Sequence, residues 1–275
     1  MRGPRFPITD HHIHIDPRNG RGIDAAKDFQ RSGGTHLFLV CKPSGSFGIL
    51  PAAGEDFLPV FQETLAVARM ISDLGVKVYP VLGVHPAEIT RLSESFPLAR
   101  AVEIMKGGIA LAARFVADGA AVGLKSGRPH YEVPPGVWEA ANDVLSYSFQ
   151  QAADAGCAVQ VHAESGSCAD MLDIAKAAGL SPDRVVKHYA IPETPLVPSF
   201  LATHPDIPAL ARQGREFFME SDYMDERSRP GAVIGPRSVP RVTIKLMESG
   251  TIDEDAIHRI HVATPSRVYG VDISL

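Results

Sequence analysis

The chain has 275 residues, 45% hydrophobic and 21% charged, with 27 Lys and Arg against 32 Asp and Glu for a formal net charge of −5. That length accommodates one large domain or two small ones, with a sizeable core, and the mild negative charge argues against a broad basic surface for gripping long nucleic acid, though not against a small anion site. No apolar run approaches the ~18 residues of a membrane span and the N-terminus lacks a signal-peptide pattern, so a cytoplasmic protein is expected. The three cysteines, Cys41, Cys157 and Cys168, have no paired spacing. Cys41 and Cys157 lie in apolar, strand-like surroundings and read as core thiols of a reducing compartment.

Ile8 to Asp16 alternates in polarity, which predicts a first strand with His12 and His14 on one face and Asp10 two positions earlier on it. Paired imidazoles on a rigid strand build a poor core, but they offer two neutral nitrogens to a divalent cation. Ile23, Ala26 and Phe29 then follow helical spacing up to Gly33-Gly34. The nearly continuous apolar run Thr35 to Lys42 reads as a strand covered on both faces in a parallel sheet. After a loop at Pro43 to Gly54, a helix is expected over Asp56 to Leu74. The unit repeats with a strand over Val76 to Pro86 and interrupted helix from Ala87 to Asp118. A strand at Ala120 to Lys125 precedes a helix near Gly136 to Ala155. Ala158 to His162 is a fifth strand, with a helix near Cys168 to Ala178, and Asp183 to His188 is a sixth. Prolines crowd the next region, where a strand near Val197 to Ala202 and a short helix near Asp206 to Gln213 are expected. Arg215 to Asp222 is an eighth strand, and helices follow over Val239 to Glu248 and Glu254 to Ile260.

Eight alternating strands and helices imply parallel pairing through right-handed crossovers, for which a closed (β/α)8 TIM barrel is the simplest α/β architecture. An open doubly wound sheet lacks its glycine fingerprint after the first strand. A single domain over residues 1–275 is expected. Barrel chemistry sits at the C-terminal ends of the strands. There this sequence places His12 and His14, His85, Lys125, His162, His188 and Asp222, whereas the strand interiors are aliphatic or aromatic. His11 is expected on the face opposite His12, packing behind the site, and His36 at the far end of the barrel. His204, His258 and His261 read as structural, and Trp138 as core.

The order of these groups resembles the amidohydrolase superfamily. Gly83-Val84-His85-Pro86 and Met219-Glu220-Ser221-Asp222-Tyr223 look like the TatD-like metal-dependent hydrolases, particularly their archaeal TatD-related branch, and the likeness spans nearly the whole chain. The resemblance implies one or two divalent ions and hydrolysis by a metal-activated water, TatD relatives being deoxyribonucleases. Carried over, it gives His12, His14 and Asp222 to a first ion and His162 and His188 to a second, with Asp222 taking a proton from water. His85 would donate to an anionic oxygen of the substrate. Zinc, manganese, cobalt, nickel, iron and magnesium all suit such ligands.

Two positions depart from the TatD pattern. A strand-four Glu is replaced by Lys125, which other amidohydrolases carboxylate to bridge two metals; as a carbamate it would be a ligand, as a plain ammonium a substrate or carboxylate partner. Two residues after His162, where an arginine is usual, stands Glu164, which weakens the case for DNA and offers a further metal-orienting group. Arg128 and His130 after strand four, with Arg229 and Arg237 after strand eight, are candidate substrate-binding residues suited to phosphate or carboxylate. Each loop arginine can equally be paired with Asp225 or Glu226. The expected partner is a small-molecule or short oligonucleotide substrate, with homo-oligomerisation open. Phosphoester hydrolysis (EC 3.1) leads, and amide, lactone or cyclic imide hydrolysis (EC 3.5) with a carboxylated Lys125 follows. A PHP-type phosphoesterase ranks lower, because that family expects more ligands early in the chain. The non-enzymatic readings are a metal-stabilised barrel and a binding protein.

Overall fold

Apolar strands alternating with amphipathic helices need a sheet buried on both faces. The computed structural model describes residues 6–228 and 233–275, so Arg229 lies outside the described residues. In chain order its elements begin β1 (Thr9–His14), α1 (Ile23–Arg31), β2 (His36–Val40), α2 (Leu58–Ser72) and β3 (Lys77–Gly83). They continue with α3 (Glu88–Ser93), α4 (Leu98–Ala117), β4 (Gly123–Gly127), α5 (Pro135–Ala155), β5 (Ala158–His162), α6 (Met171–Ala177) and β6 (Val185–Lys187). Last come β7 (Val197–Leu201), α7 (Ile207–Arg212), β8 (Phe218–Glu220), β9 (Tyr223–Met224), α8 (Ser238–Glu248), α9 (Glu254–His258) and α10 (Thr264–Tyr269). No helix among the described residues is long and apolar enough to cross a membrane.

The chain divides into two compact units, one drawn from residues 1–40, 66–79 and 198–275, the other from 41–65 and 80–197. In the first, β1 pairs in parallel with β2 on one side and with β9 on the other, Ile13 standing opposite Leu39 and Tyr223. The final strand therefore lies beside the first, which is how a barrel closes. Ile13, Ala26, Phe29, Leu37, Leu39 and Ile71 form the apolar layer between this sheet and its helices. In the second unit, β3, β4, β5 and β6 pair in parallel in sequence order, without the reversal of a doubly wound sheet. Leu82, Leu124, Val159 and Val161 pack there against Ile104, Ile109, Val144 and Phe149.

Four expectations need correcting. Strand four begins at Gly123 rather than Ala120, because the amides of Ala120 and Ala121 both bond back to the Phe115 carbonyl and close the end of α4. The register slips between Asp10 and Ile13, a bulge across which simple alternation cannot be carried. His11 accordingly stacks on Phe218 at 3.8 Å between ring centroids and bonds to Ser199 Oγ and the Tyr269 hydroxyl. The C-terminal helix does not stop at Ile260: it passes through a π-helical turn, Arg259–Ala263, into α10. Trp138 is not core but half-exposed on α5, with the Arg128 guanidinium 4.6 Å from its ring centroid.

Candidate functional site

The first unit gathers three of the predicted ligands. His12 and His14 project from β1 with their Nε2 atoms 3.2 Å apart, and Asp222 Oδ1 lies 3.8 Å from His12 Nε2. The proton of His14 can be placed by elimination. Its Nδ1 is 2.8 Å from the Val40 carbonyl, which only accepts, so Nδ1 donates and Nε2 keeps a lone pair facing His12. Asp222 follows β8 with φ 45°, a left-handed conformation that aspartate tolerates better than most residues, and its amide donates to the His12 carbonyl at 2.9 Å. Backbone pairing between the first and last strands thus fixes the distance between imidazole and carboxylate.

Asp10 lies beneath them, fully buried. Its Oδ1 accepts from the amides of His12 and Ser221, whereas Oδ2 has no hydrogen-bond partner among the described residues. Burial, opposed by those hydrogen bonds and aided by the Asp222 charge, pushes its carboxyl up to about 7. A nearby cation would relieve the orphan oxygen, and the imidazole nitrogens and carboxylate gathered here are donors that fit a divalent ion. His12 and Asp222 belong to a group of histidine and aspartate side chains able to hold a metal.

The second unit gathers the remaining histidines. His162, at the end of β5, contacts His188 through Nδ1 at 2.8 Å and His130 through Nε2 at 2.7 Å. The His85 ring lies 4.7 Å from that of His162. Burial, reinforced by His85, Lys125, His130 and Lys187, pushes His162 far below the ordinary histidine value, so the ring is neutral, as a ligand must be. Lys125 is 1% exposed on β4, opposite Gln160 of β5. Gly83 and Gly127 hold this region together. A Cβ on Gly127, at φ 145°, would fall 1.8 Å from the His162 carbonyl, and one on Gly83, at φ 155°, 2.0 Å from that of Lys125.

The candidate substrate-binding residues fare unevenly. Arg128 is 2% exposed, and its guanidinium is committed to Glu164 through Nε and Nη2, to Asp170 through Nη1 and Nη2, and to Asn142. Its observed work is therefore to pin Glu164, whose carboxyl burial would raise but which the arginine holds below its ordinary range. Arg237 pairs with Asp28 at 2.6 Å rather than with Asp225. Asp225 is buried and accepts from the amides of Asp16, Arg21 and Gly22 and from the Tyr223 hydroxyl, which leaves it unsuited to pairing with loop arginines. Pro129, His130, Tyr131, Val133, Trp138 and Glu164 line an open pocket of about 730 Å³ beside His162. Sequence reasoning missed one buried network, in which Ser199 Oγ donates to Glu220 and meets His11. Its only signal was an acidic residue inside an apolar strand.

Residues 9–270 match the model of the family described as TatD related DNase. Uncharacterized protein MJ1127 of Methanocaldococcus jannaschii is 35% identical, with 98% of each chain covered. Among solved structures, the Escherichia coli TatD homologue YJJV superposes with a TM-score of 0.65 at 17% identity, covering 96% of this chain and 98% of its own. The phosphotriesterase homology protein of Escherichia coli, solved with phosphate in its active site, gives a TM-score of 0.59 at 14% identity, covering 98% and 100%. A variant of a PTE-like lactonase from Deinococcus radiodurans gives 0.64 at 12%, covering 98% of both chains. These structural likenesses establish the α/β TIM-barrel fold, and the family model together with the archaeal relative establishes that the chain belongs to the TatD-related DNase family.

Proposed function

We propose that the chain is a metal-dependent hydrolase that cleaves phosphoester bonds in a small or short oligonucleotide substrate. The observation that carries this reading is the approach of His14 Nε2 to His12 Nε2 at 3.2 Å, with Asp222 Oδ1 3.8 Å from His12 Nε2. On this reading His12, His14 and Asp222 hold a first divalent ion, and His162 and His188 a second. The bound metal supplies the acidity that turns a water into a nucleophile near neutral pH. Asp222 accepts the proton released in the attack, its backbone anchored to His12 so that the carboxylate keeps its aim. His85, beside His162, donates to a developing anionic oxygen of the substrate. With Arg128 and Arg237 engaged by carboxylates, grip on a long phosphate backbone is weak, which favours a short substrate.

Buried Lys125 supports a second reading, hydrolysis of amides, lactones or cyclic imides, in which its amine is carboxylated and becomes a ligand. One panel of assays separates them. Metal-activated turnover of bis(p-nitrophenyl) phosphate is expected, falling by about 10²–10⁴-fold in Asp222→Asn while the melting curve stays cooperative. Turnover of lactones or amides without phosphodiesters selects the second reading. Metal binding with no turnover of either class selects a structural metal and sinks both.

A further inference from the structure

We infer that His130 is a positioning residue that decides which nitrogen of His162 is offered to a metal ion. The inference rests on the reading of His162 and His188 as ligands of one ion, and it assigns to a loop histidine a task that the strand-end pattern does not contain.

His162 is engaged at both ring nitrogens, with His188 Nε2 2.8 Å from Nδ1 and His130 Nδ1 2.7 Å from Nε2. A neutral imidazole has one N–H and one lone pair, so the two contacts cannot both be donated. If Nδ1, the nitrogen facing His188, is to present its lone pair, the proton must sit on Nε2 and find an acceptor there. His130 Nδ1 stands at that place. The His130 ring is exposed, so its own proton can remain on Nε2 in contact with solvent, leaving Nδ1 bare to accept. The same logic places the His14 proton, where a backbone carbonyl is the acceptor. In the second unit the acceptor is a side chain, so it can be removed by mutation.

The loop that carries His130 is held at both ends. Before it, the Arg128 amide donates to the His162 carbonyl at 2.9 Å, and Gly127 allows β4 and β5 to approach closely enough for that bond. After it, the Tyr131 hydroxyl meets Thr90 Oγ1 at 2.6 Å, and the Tyr131 ring stands edge-on to His130 with 5.2 Å between centroids. His130 approaches the nitrogen of His162 remote from His188, so it orients that ligand instead of joining the same ion. It also lines the pocket of about 730 Å³, so an occupant of that pocket would touch the ring that holds His162 in register.

The test uses the full-length protein with zinc or cobalt alone, titrated against a chromophoric chelator, in wild type, His130→Ala and His130→Gln. His130→Ala should weaken the second metal equivalent by about 10–100-fold and leave the first unchanged, with His130→Gln within about threefold of wild type because an amide oxygen still accepts. Cobalt ligand-field spectra should change for the second ion alone. Wild-type affinity and spectrum in His130→Ala overturn the inference. Should the wild type take up no second equivalent, the two-ion reading fails separately, and ring ¹⁵N shifts of the metal-free protein decide. The wild-type and His130→Gln proteins should then show His162 protonated on Nε2 and bare on Nδ1, with mixed tautomers in His130→Ala. A proton on Nδ1 of His162 in the wild type overturns the assignment.

Discussion

Arg128 and His130 stand two residues apart, and the fold gives them opposite surroundings. The arginine is enclosed by Glu164, Asp170 and Trp138, while the histidine reaches His162 from the surface. Sequence reasoning grouped them as substrate contacts, because a carboxylate 36 or 42 residues away along the chain leaves no periodic trace. His12, His14 and Asp222 were singled out for the opposite reason: a spacing of two within one strand and the end of a late strand point to them without long-range information, although the bulge between Asp10 and Ile13 means that alternation alone does not fix their faces. Buried His261 supplies a test at this scale. Its Nδ1 accepts from the Thr9 amide and its Nε2 meets Thr243 Oγ1, and burial pushes it down from 6.5 to about 4. Below about pH 6.5 the unfolded chain binds a proton that the folded ring refuses, so this histidine's contribution is present above that pH and lost toward about pH 4. Urea unfolding of His261→Gln should show an acid-dependent loss smaller than that of wild type by on the order of 3 kcal/mol; identical slopes would count against burial as the cause.

Among the elements, β5 was placed from sequence with its observed bounds, Ala158–His162, because an apolar run ends there on a polar residue between clear helices. β4 was placed too early, since Ala120 and Ala121 have strand-like composition but spend their amides on the end of α4. No local pattern reveals such a choice. It depends on where the preceding helix stops. The observed strand makes Gly127 a demanding position, at φ 145° against the His162 carbonyl. Gly127→Ala should destabilise the protein by on the order of 3 kcal/mol in urea melts, combining backbone strain with loss of the β4–β5 ladder. Gly136, whose Cβ would meet nothing, should accept alanine within about 0.5 kcal/mol and serves as the control.

At the scale of the whole molecule, alternation of strands and helices was enough to predict a TIM barrel, and the pairing of β9 with β1 agrees with it. The division of the chain's contacts into two units was not legible, because each unit draws on segments far apart in sequence. If the two histidine groups hold ions, zinc or cobalt at about 100 times its dissociation constant should add about 2.7 kcal/mol of stability for each ion bound and raise Tm by about 5–10 °C per ion, reversibly with chelator. Calorimetric scans with and without the ion check this, and an unchanged Tm would show that the folded state gains nothing from the metal. The bonds joining β1 to the end of β8 carry a temporal consequence. Asp10 and Ser221, which clasp one another, are 211 residues apart. A ribosome delivers His12 and His14 long before Asp222, so the nascent chain is without that carboxylate while the strands between them emerge. If these three side chains hold an ion, its tight capture waits for that late carboxylate, and a polypeptide stalled before residue 222 should forfeit it.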